Sequence, residues 1–431
     1  MPGSCFTEDV VLLDGGLGTH LRALGAEFNG DPLWASKAVL VAPDLVRRAH
    51  YDFYHAGADV AITATYQASL TGFAKIGLSP SNAHEAVALA INLAAEARQL
   101  DEDGDAPACS SAGDERENEG PEARTPEAPS TAGKGGFQEV HARDADRPRR
   151  RRNRKIFVSN GSYGSALGGG AEYRGNYGVS EEVFHDYHRW RLQAALELEH
   201  LVDGVVFETL PESAEAKAIV SLLREFPSLR GKTWISFTCK SPTQLANGED
   251  FRSAVADVLK LDGRDCYISG IGVNCLPVST TVPLLCSPPL RDSLAVSLEK
   301  SRDPWNLHVV CYPNNEGARN AAATSAKPES PEVCQELVHG AAPRECDLVD
   351  RTTASAPTKM TYLAESAPDG QCGHATLPAN PSSRDFSLKH PLASQVSAWL
   401  KGGVSAVGGC CGTSPEDVKE IGAVLENLRV R

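Results

Sequence analysis

The sequence predicts an α/β protein built as a parallel (β/α)8 TIM barrel, with two long insertions that we expect to be disordered. Two observations lead to this prediction. Short apolar runs typical of strands alternate with amphipathic stretches typical of helices along the chain, and the number of such runs is eight. Eight strand–helix units are the composition of this barrel, although an open doubly wound sheet has the same alternation and remains the alternative.

The predicted strands are short runs rich in Val, Ile and Phe: Val10–Leu13, Val60–Thr65, Ile156–Ser159, Gly204–Phe207, Trp234–Thr238, Ile268–Val273, Leu307–Cys311 and Ser405–Gly408. Helices are predicted between them, among others at Pro43–His55, Asn82–Leu100, Ser180–Leu201 and Ser213–Phe226. After the last strand, Ser414 is a predicted N-cap, followed by Pro415 at the first helical position and Asp417 at the capping-box position. A final helix is therefore expected to run to about Leu428.

Two segments interrupt this pattern, at residues 101–154 and 316–383. Within the first, Asp101 to Ser130 contains ten acidic and two basic residues and very few residues that a core could bury. The basic run Arg149–Lys155 fits either a targeting or RNA-binding tail or a solvated charge run before a strand. Without the two insertions about 310 residues remain, which fits one barrel domain spanning residues 1–431.

Composition excludes several classes of function. The formal charge of -14 argues against nucleic acid as the main partner, since nucleic acid requires a basic face. No run of 18 apolar residues is present, and Glu8 and Asp9 interrupt the amino-terminal segment, so neither a membrane span nor a secretory signal is expected. Twelve cysteines in a long chain without such a signal are typical of reduced thiols, and the predicted location is the cytoplasm.

Chemically distinctive residues follow the predicted strands, where barrels of this class place their active sites. Three are cysteines from two strand ends, Cys275 after the sixth run and Cys410 and Cys411 after the eighth. Three thiolates favour Zn²⁺ and leave its fourth tetrahedral position open. Adjacent residues on a regular strand point to opposite faces, but the flanking glycines permit an irregular backbone. Buried apolar cysteines, or a disulfide between Cys410 and Cys411, are the alternatives.

The motifs together resemble the homocysteine S-methyltransferase family, whose members are zinc-dependent (β/α)8 barrels. The matching segments span the chain: LLDGGLGT (12–19), NGDPLW (29–34), GADVAITATYQAS (57–69), EYRGNYG (172–178), FETLPESAEA (207–216), GVNC (272–275) and GGCCGTSPE (408–416). The resemblance implies that Cys275, Cys410 and Cys411 bind zinc and are catalytic through activation of the substrate thiol. It also implies that Asp14, Glu208 and Asn274 are substrate-binding residues. Asp14 and Glu208 are expected to bind the amino acid end of homocysteine, and Asn274 to support the metal loop.

The function predicted on this basis is zinc-dependent transfer of a methyl group from a sulfonium donor to the thiol of homocysteine, which forms methionine. A negatively charged thiolate site attracts a cationic donor, and aromatic faces can bind its methyl groups. Tyr163 is a predicted substrate-binding residue of this kind, together with Tyr66, Tyr173 and Tyr177. The expected donor is S-methylmethionine, with S-adenosylmethionine second. A betaine-type donor and a non-catalytic zinc-binding regulatory barrel are the alternatives.

Overall fold

Eight parallel strands form one sheet in the computed structural model, which describes residues 10–27, 31, 33–107, 153–298, 307–315 and 391–429. In chain order the strands are β1 (Val11–Leu12), β2 (Val60–Ile62), β3 (Lys155–Gly161), β4 (Gly204–Leu210), β5 (Thr233–Phe237), β6 (Ile268–Pro277), β7 (His308–Asn314) and β8 (Ala406–Val407).

The sheet closes into a barrel. Each strand from β2 to β7 pairs in parallel with the next, and β8 also pairs with β1. A bridge between Leu13 and Val60 joins the remaining two strands, with the amide of Asp14 donating to the carbonyl of Val60 at 3.1 Å. The predicted (β/α)8 barrel is thereby confirmed, and the open doubly wound sheet is excluded.

Helices surround the barrel and connect successive strands. They are α1 (Leu17–Ala23), α2 (Ala35–Val41), α3 (Pro43–Ala56), α4 (Leu70–Lys75), α5 (Pro80–Asp103), α6 (Tyr163–Leu167), α7 (Glu181–Leu196), α8 (Ser213–Leu223), α9 (Phe251–Asp262), α10 (Val278–Leu285), α11 (Leu290–Leu298), α12 (Pro391–Lys401) and α13 (Pro415–Arg429). No helix in the described parts of the chain is both long enough and apolar enough to cross a membrane.

Apolar side chains fill two layers. Inside the barrel, alternate strand residues pack against one another, among them Leu13, Phe157, Val206, Trp234 and Val310. A larger cluster lies between the outer faces of the strands and the helices, and it includes Phe207, Phe237 and Trp399. Since both faces of the sheet are covered, the strands are buried on both sides, as their continuous apolar runs predict.

Local sequence signals account for the ends of several helices. Ser414 and Asp417 form the predicted capping box before α13, because the Asp417 amide donates to Ser414 Oγ at 3.3 Å and the Ser414 amide donates to Asp417 Oδ2 at 2.8 Å. Ser79 caps α5 in a similar way by accepting from the Asn82 amide at 3.2 Å.

The limits predicted for the first insertion, 101–154, are wrong at both ends. Helix α5 continues to Asp103, and Asp101 and Arg154 are buried and form an ion pair at 2.6 Å. Arg154 also donates to the carbonyl oxygens of Tyr54 in α3 and of Ala58 just after it, so this pair fastens both ends of the insertion to the carboxyl end of α3. Residues 108–152, which include most of the basic run, and residues 316–390, which include the second insertion, lie outside the described residues.

Candidate active site

The site lies at the carboxyl ends of the strands. We call the part with three cysteines suited to a metal ion the metal side, and the part with two buried carboxylates the acid side. We call the three cysteines Cys275, Cys410 and Cys411 the cysteine group. Their sulfur atoms approach closely: Cys275 Sγ lies 3.3 Å from Cys410 Sγ and 3.7 Å from Cys411 Sγ. Among the described residues this is the cluster of His, Cys, Asp and Glu side chains suited to hold a metal ion.

An irregular end of β6 positions Cys275. The pairing of β6 with β7 shifts register between Asn274 and Pro277, and Cys275 has a φ of 56°. A left-handed conformation is unusual for a residue with a Cβ atom and is found preferentially at functional sites. Thr238 holds this turn from β5, since its hydroxyl donates to the Cys275 carbonyl at 3.4 Å.

Cys410 and Cys411 lie beyond the end of β8, where no strand geometry forces them to opposite faces. The end of β7 holds them instead: the Cys410 amide donates to the Pro313 carbonyl at 2.8 Å, and the Cys411 amide donates to Asn314 Oδ1 at 3.1 Å. Gly412 follows with a φ of 80°, which glycine adopts without steric cost. The irregular backbone predicted beside Cys410 and Cys411 is therefore confirmed at Gly412.

The donor set fits a zinc ion. Four ligands at a Zn–S distance of about 2.3 Å place neighbouring sulfur atoms about 3.8 Å apart in a tetrahedron. The sulfur–sulfur distances from Cys275 are 3.3 and 3.7 Å, and all three sulfur atoms lie within 4.8 Å of one another. Thiolates also select soft or borderline ions such as zinc over Mg²⁺ or Ca²⁺.

One member of the cysteine group is already inclined to ionise. Hydrogen bonds from Cys275 and Cys410 hold the pKa of Cys411 well below its usual range. In contrast, donation to the two neighbouring sulfurs and burial raise the pKa of Cys410. Three neighbouring sulfurs that share protons in this way are poised to exchange those protons for a metal ion.

The acid side consists of Asp14 and Glu208, which are only 2% and 7% exposed. Asp14 Oδ2 accepts from the Ile62 amide at 2.7 Å, and Glu208 Oε1 accepts from the Ser159 hydroxyl. Burial raises the pKa of Asp14 well above its usual range and raises that of Glu208 to about 7. The charge of Glu208 adds to the rise at Asp14, and the charge of Cys275 adds to the rise at Glu208, so the site attracts a cation.

Asn274 connects the two sides. It is fully buried directly before Cys275, and its Oδ1 accepts from the Thr209 amide at 2.8 Å while its Nδ2 donates to Thr209 Oγ1 at 2.8 Å. The same Nδ2 lies 3.5 Å from Glu208 Oε2. Thr209 has a φ of 61°, so Asn274 stabilises an unusual backbone conformation directly after Glu208.

The predicted tyrosines separate into two groups. Tyr173 reaches the cysteine group, with its hydroxyl 3.2 Å from Cys275 Sγ, and Tyr66 lies close enough to Cys275 for its charge to raise the tyrosine's pKa, after the larger effect of burial. Tyr163 instead packs edge-on against Tyr177 and Tyr187 in an aromatic cluster beside α7. Its role in substrate binding therefore stays a prediction.

Sequence reasoning missed several residues that support the acid side, because nothing in their local sequence distinguishes them. Ser159 is one, and a buried network behind β3 and β4 supplies others. There Glu215 Oε1 accepts from the Tyr163 amide at 2.6 Å and from His188 Nε2 at 2.9 Å, and Arg191 donates to His188 Nδ1 at 2.8 Å. Arg191 also donates to the Gly161 carbonyl at 3.1 Å, so the network anchors the end of β3.

Fold and site together define a class of protein: a barrel enzyme with a thiol centre suited to a metal ion, beside buried carboxylates suited to an amino group. The comparison with protein families then identifies the family. The family model described as homocysteine S-methyltransferase matches residues 11–425, and the chain belongs to this family. It is a methyltransferase that acts on homocysteine, as the sequence predicted.

Individual relatives agree with this assignment. The chain is 29% identical over 423 residues to homocysteine S-methyltransferase YbgG of Bacillus subtilis, a match that covers 98% of this chain and 96% of that protein. It is 27% identical to homocysteine S-methyltransferase 3 of Zea mays, over 96% of this chain and 90% of that protein. The crystal structure of the metallated form of the homocysteine methyltransferase MmuM from Escherichia coli has the same fold, with a TM-score of 0.61, 24% identity and coverage of 97% and 96%.

Proposed function

We propose that this enzyme carries out zinc-dependent transfer of a methyl group from a sulfonium donor to the thiol of homocysteine. The observation that carries the proposal is the convergence of three cysteine sulfurs within 4.8 Å of one another at the mouth of the barrel. The related E. coli homocysteine methyltransferase has a metallated form, which agrees with a metal-dependent reaction. A zinc ion held by Cys275, Cys410 and Cys411 would supply an open coordination position that lowers the pKa of a bound thiol.

The protein's own residues orient the acceptor. Asp14 and Glu208 are placed to accept the ammonium group of homocysteine, because a carboxylate that is desolvated and hydrogen-bonded gains from pairing with a cation. Asn274 keeps Glu208 and Cys275 in fixed relation through its contacts to β4. The thiol is thereby held at the cysteine group while the amino acid end is held on the opposite side.

The transfer is a single displacement. The homocysteine thiol releases its proton to water, and the resulting thiolate forms a bond to the methyl carbon. The bond between that carbon and the donor sulfur breaks, and its electron pair stays on the donor sulfur, which leaves as an uncharged thioether. Most of the rate enhancement would come from alignment of the two sulfurs with the methyl group and from the thiolate state of the acceptor.

The donor that fits best is S-methylmethionine, with S-adenosylmethionine second. Three thiolates and Zn²⁺ sum to one negative charge, and the homocysteine thiolate adds another, so a cationic donor is attracted and a neutral product is released. Tyr173 and Tyr66 stand beside Cys275 and present aromatic rings suited to the methyl groups of a cation. A chemistry that needs reduced thiols also favours the cytoplasm as its location.

A donor panel tests the proposal. Purified zinc-loaded protein is incubated with homocysteine and one of S-methylmethionine, S-adenosylmethionine or glycine betaine, and methionine is quantified. We expect two methionines for each S-methylmethionine consumed, because the demethylated donor is itself methionine. Preference for glycine betaine would contradict the sulfonium donor, and an absence of methionine with all three would contradict catalysis and favour a regulatory barrel.

A further inference from the structure

Glu172 has no role in the site as described so far, although it lies at the barrel mouth. It belongs to a short 3-10 turn, Ala171–Tyr173, that follows α6. Its Oε2 atom is buried and has no hydrogen-bond partner, and no ion pair among the described residues includes it. The next residue, Tyr173, contacts Cys275 directly.

The fold of the turn does not require this carboxylate. Main-chain hydrogen bonds hold the turn together, from the Tyr173 amide to the Gly170 carbonyl at 3.1 Å and from the Arg174 amide to the Ala171 carbonyl at 3.0 Å. The charge of Arg174 lowers the pKa of Glu172, but this guanidinium donates to the Gly169 carbonyl at 2.7 Å and forms no ion pair with Glu172. The Oε2 atom of Glu172 is therefore available to bind a ligand.

The surroundings of Glu172 select a cation. A buried carboxylate oxygen without a partner is costly, and a positive ligand would offset this cost. Burial raises the pKa of Glu172 to about 7, and the negative charge of Cys275 adds to the rise. The charge of Glu172 also adds to the rise in the pKa of the Tyr66 and Tyr173 hydroxyls, so the carboxylate lies near both tyrosines, and the Tyr173 hydroxyl lies 3.2 Å from Cys275 Sγ.

We propose that Glu172 binds the positive charge at the sulfonium of the methyl donor, between its own carboxylate and the cysteine group. This inference rests on the proposed function and adds a donor-binding residue to it. Asp14 and Glu208 serve the ammonium of homocysteine, whereas Glu172 serves the second substrate. The reacting sulfonium loses its charge when the methyl group leaves, so this contact holds the donor and releases the uncharged product.

The test is Glu172→Gln, which removes the charge and keeps the size of the side chain. We expect the KM for S-methylmethionine to rise about tenfold or more, while the KM for homocysteine, the zinc content and the thermal midpoint stay within error of wild type. Glu172→Asp keeps the charge, and its KM for S-methylmethionine is expected to lie between those of wild type and Glu172→Gln. An unchanged donor KM in a folded, zinc-loaded Glu172→Gln variant would overturn the proposal.

A second comparison identifies which charge Glu172 recognises. Methionine has the same ammonium and carboxylate groups as S-methylmethionine but no sulfonium, and it is used as an inhibitor against the donor at saturating homocysteine. We expect its inhibition constant to be the same in wild type and Glu172→Gln. An equal weakening of methionine and of S-methylmethionine would show that the ammonium is recognised, and the proposal would be wrong.

Failure of this inference and failure of the proposed function give different results. An active wild-type enzyme with an unaffected Glu172→Gln variant contradicts only the role of Glu172. A wild-type protein that makes no methionine from any donor contradicts the proposed function. In that case calorimetric binding of S-methylmethionine to both proteins decides the role of Glu172, since equal affinities would contradict it and a weakened variant would support it.

Discussion

The two sides of the active site achieve a charge imbalance by different means. On the metal side, irregular backbone at Cys275 and Gly412 gathers three like groups that repel one another once ionised. On the acid side, hydrogen bonds from neighbouring strands hold Asp14 and Glu208. Burial raises the pKa of both groups, because it disfavours their charged form. A resident metal ion would balance the negative charge of the three thiolates, whereas only a substrate cation would balance that of the two carboxylates. Changes to the metal side should therefore alter metal content and turnover, and changes to the acid side should alter substrate affinity alone.

The largest effect is expected from Cys410→Ala. Loss of one of three thiolate ligands should leave the protein without stoichiometric zinc and reduce methionine formation to about a thousandth of wild type or less. Metal analysis measures the zinc content, and the methionine assay measures the rate. Cys266→Ser, at an exposed cysteine outside the site, is the matched control and should retain both properties. Full zinc occupancy and activity in Cys410→Ala would remove Cys410 from the metal side.

Glu208→Gln should separate the acid side from the metal side. The charge that pairs with the homocysteine ammonium is lost while shape is retained, so the KM for homocysteine should rise about 10- to 100-fold. Zinc content should remain at one per chain. Glu199→Gln, at a surface carboxylate, controls for the general loss of one negative charge. A variant that loses zinc with an unchanged homocysteine KM would show that the two sides do not act separately.

Asn274→Ala tests the connection between the sides. The substitution leaves the buried amide of Thr209 without a partner, which should lower the free energy of unfolding by about 2 to 3 kcal/mol. Urea unfolding of the zinc-free proteins measures this difference. Asn82→Ala, on the exposed start of α5, is the control and should change stability by less than about 1 kcal/mol. Equal stabilities of the two variants would contradict a structural role for Asn274.

Glu215 tests whether the network behind the acid side is desolvated. Burial raises the pKa of Glu215 from 4.5 to about 8, so between these values the native state holds a proton that the unfolded chain has released. The contribution of Glu215 to the free energy of unfolding should fall as pH rises from about 4.5 to about 8. The Glu215→Gln variant should lack this loss. Between pH 5 and pH 8 the free energy of unfolding of the wild type should therefore fall by at least about 1 kcal/mol more than that of the variant. Parallel pH profiles in the two proteins would contradict the shifted pKa.

The sequence was sufficient to predict the barrel, which depends on local patterns, and the convergence of the three cysteines, because a closed barrel brings the ends of its strands together. Eight apolar runs are visible without tertiary information, and glycines on both sides of Cys410 and Cys411 indicate an irregular turn. The limits of the first insertion were not predictable, because the ion pair between Asp101 and Arg154 joins residues 53 positions apart.

The same limit applies to the side chains around the site. Ser159 contacts Glu208 across 49 positions, and the isolated Oε2 of Glu172 is defined by burial, which no local motif reveals. Tyr163 resembled a residue of the mouth because it follows β3, yet its ring packs beside α7. Position after a strand predicts proximity to the mouth, but the direction of the side chain depends on packing.

A zinc titration tests the central claim most directly. Chelator-treated protein receives increasing amounts of zinc, and the rate of methionine formation from homocysteine and S-methylmethionine is measured with the bound metal at each step. We predict that the rate rises in proportion to bound zinc and reaches a plateau at one zinc per chain. Full activity in the zinc-free protein, or a fully loaded protein that forms no methionine, would contradict the claim that the cysteine group holds the catalytic metal.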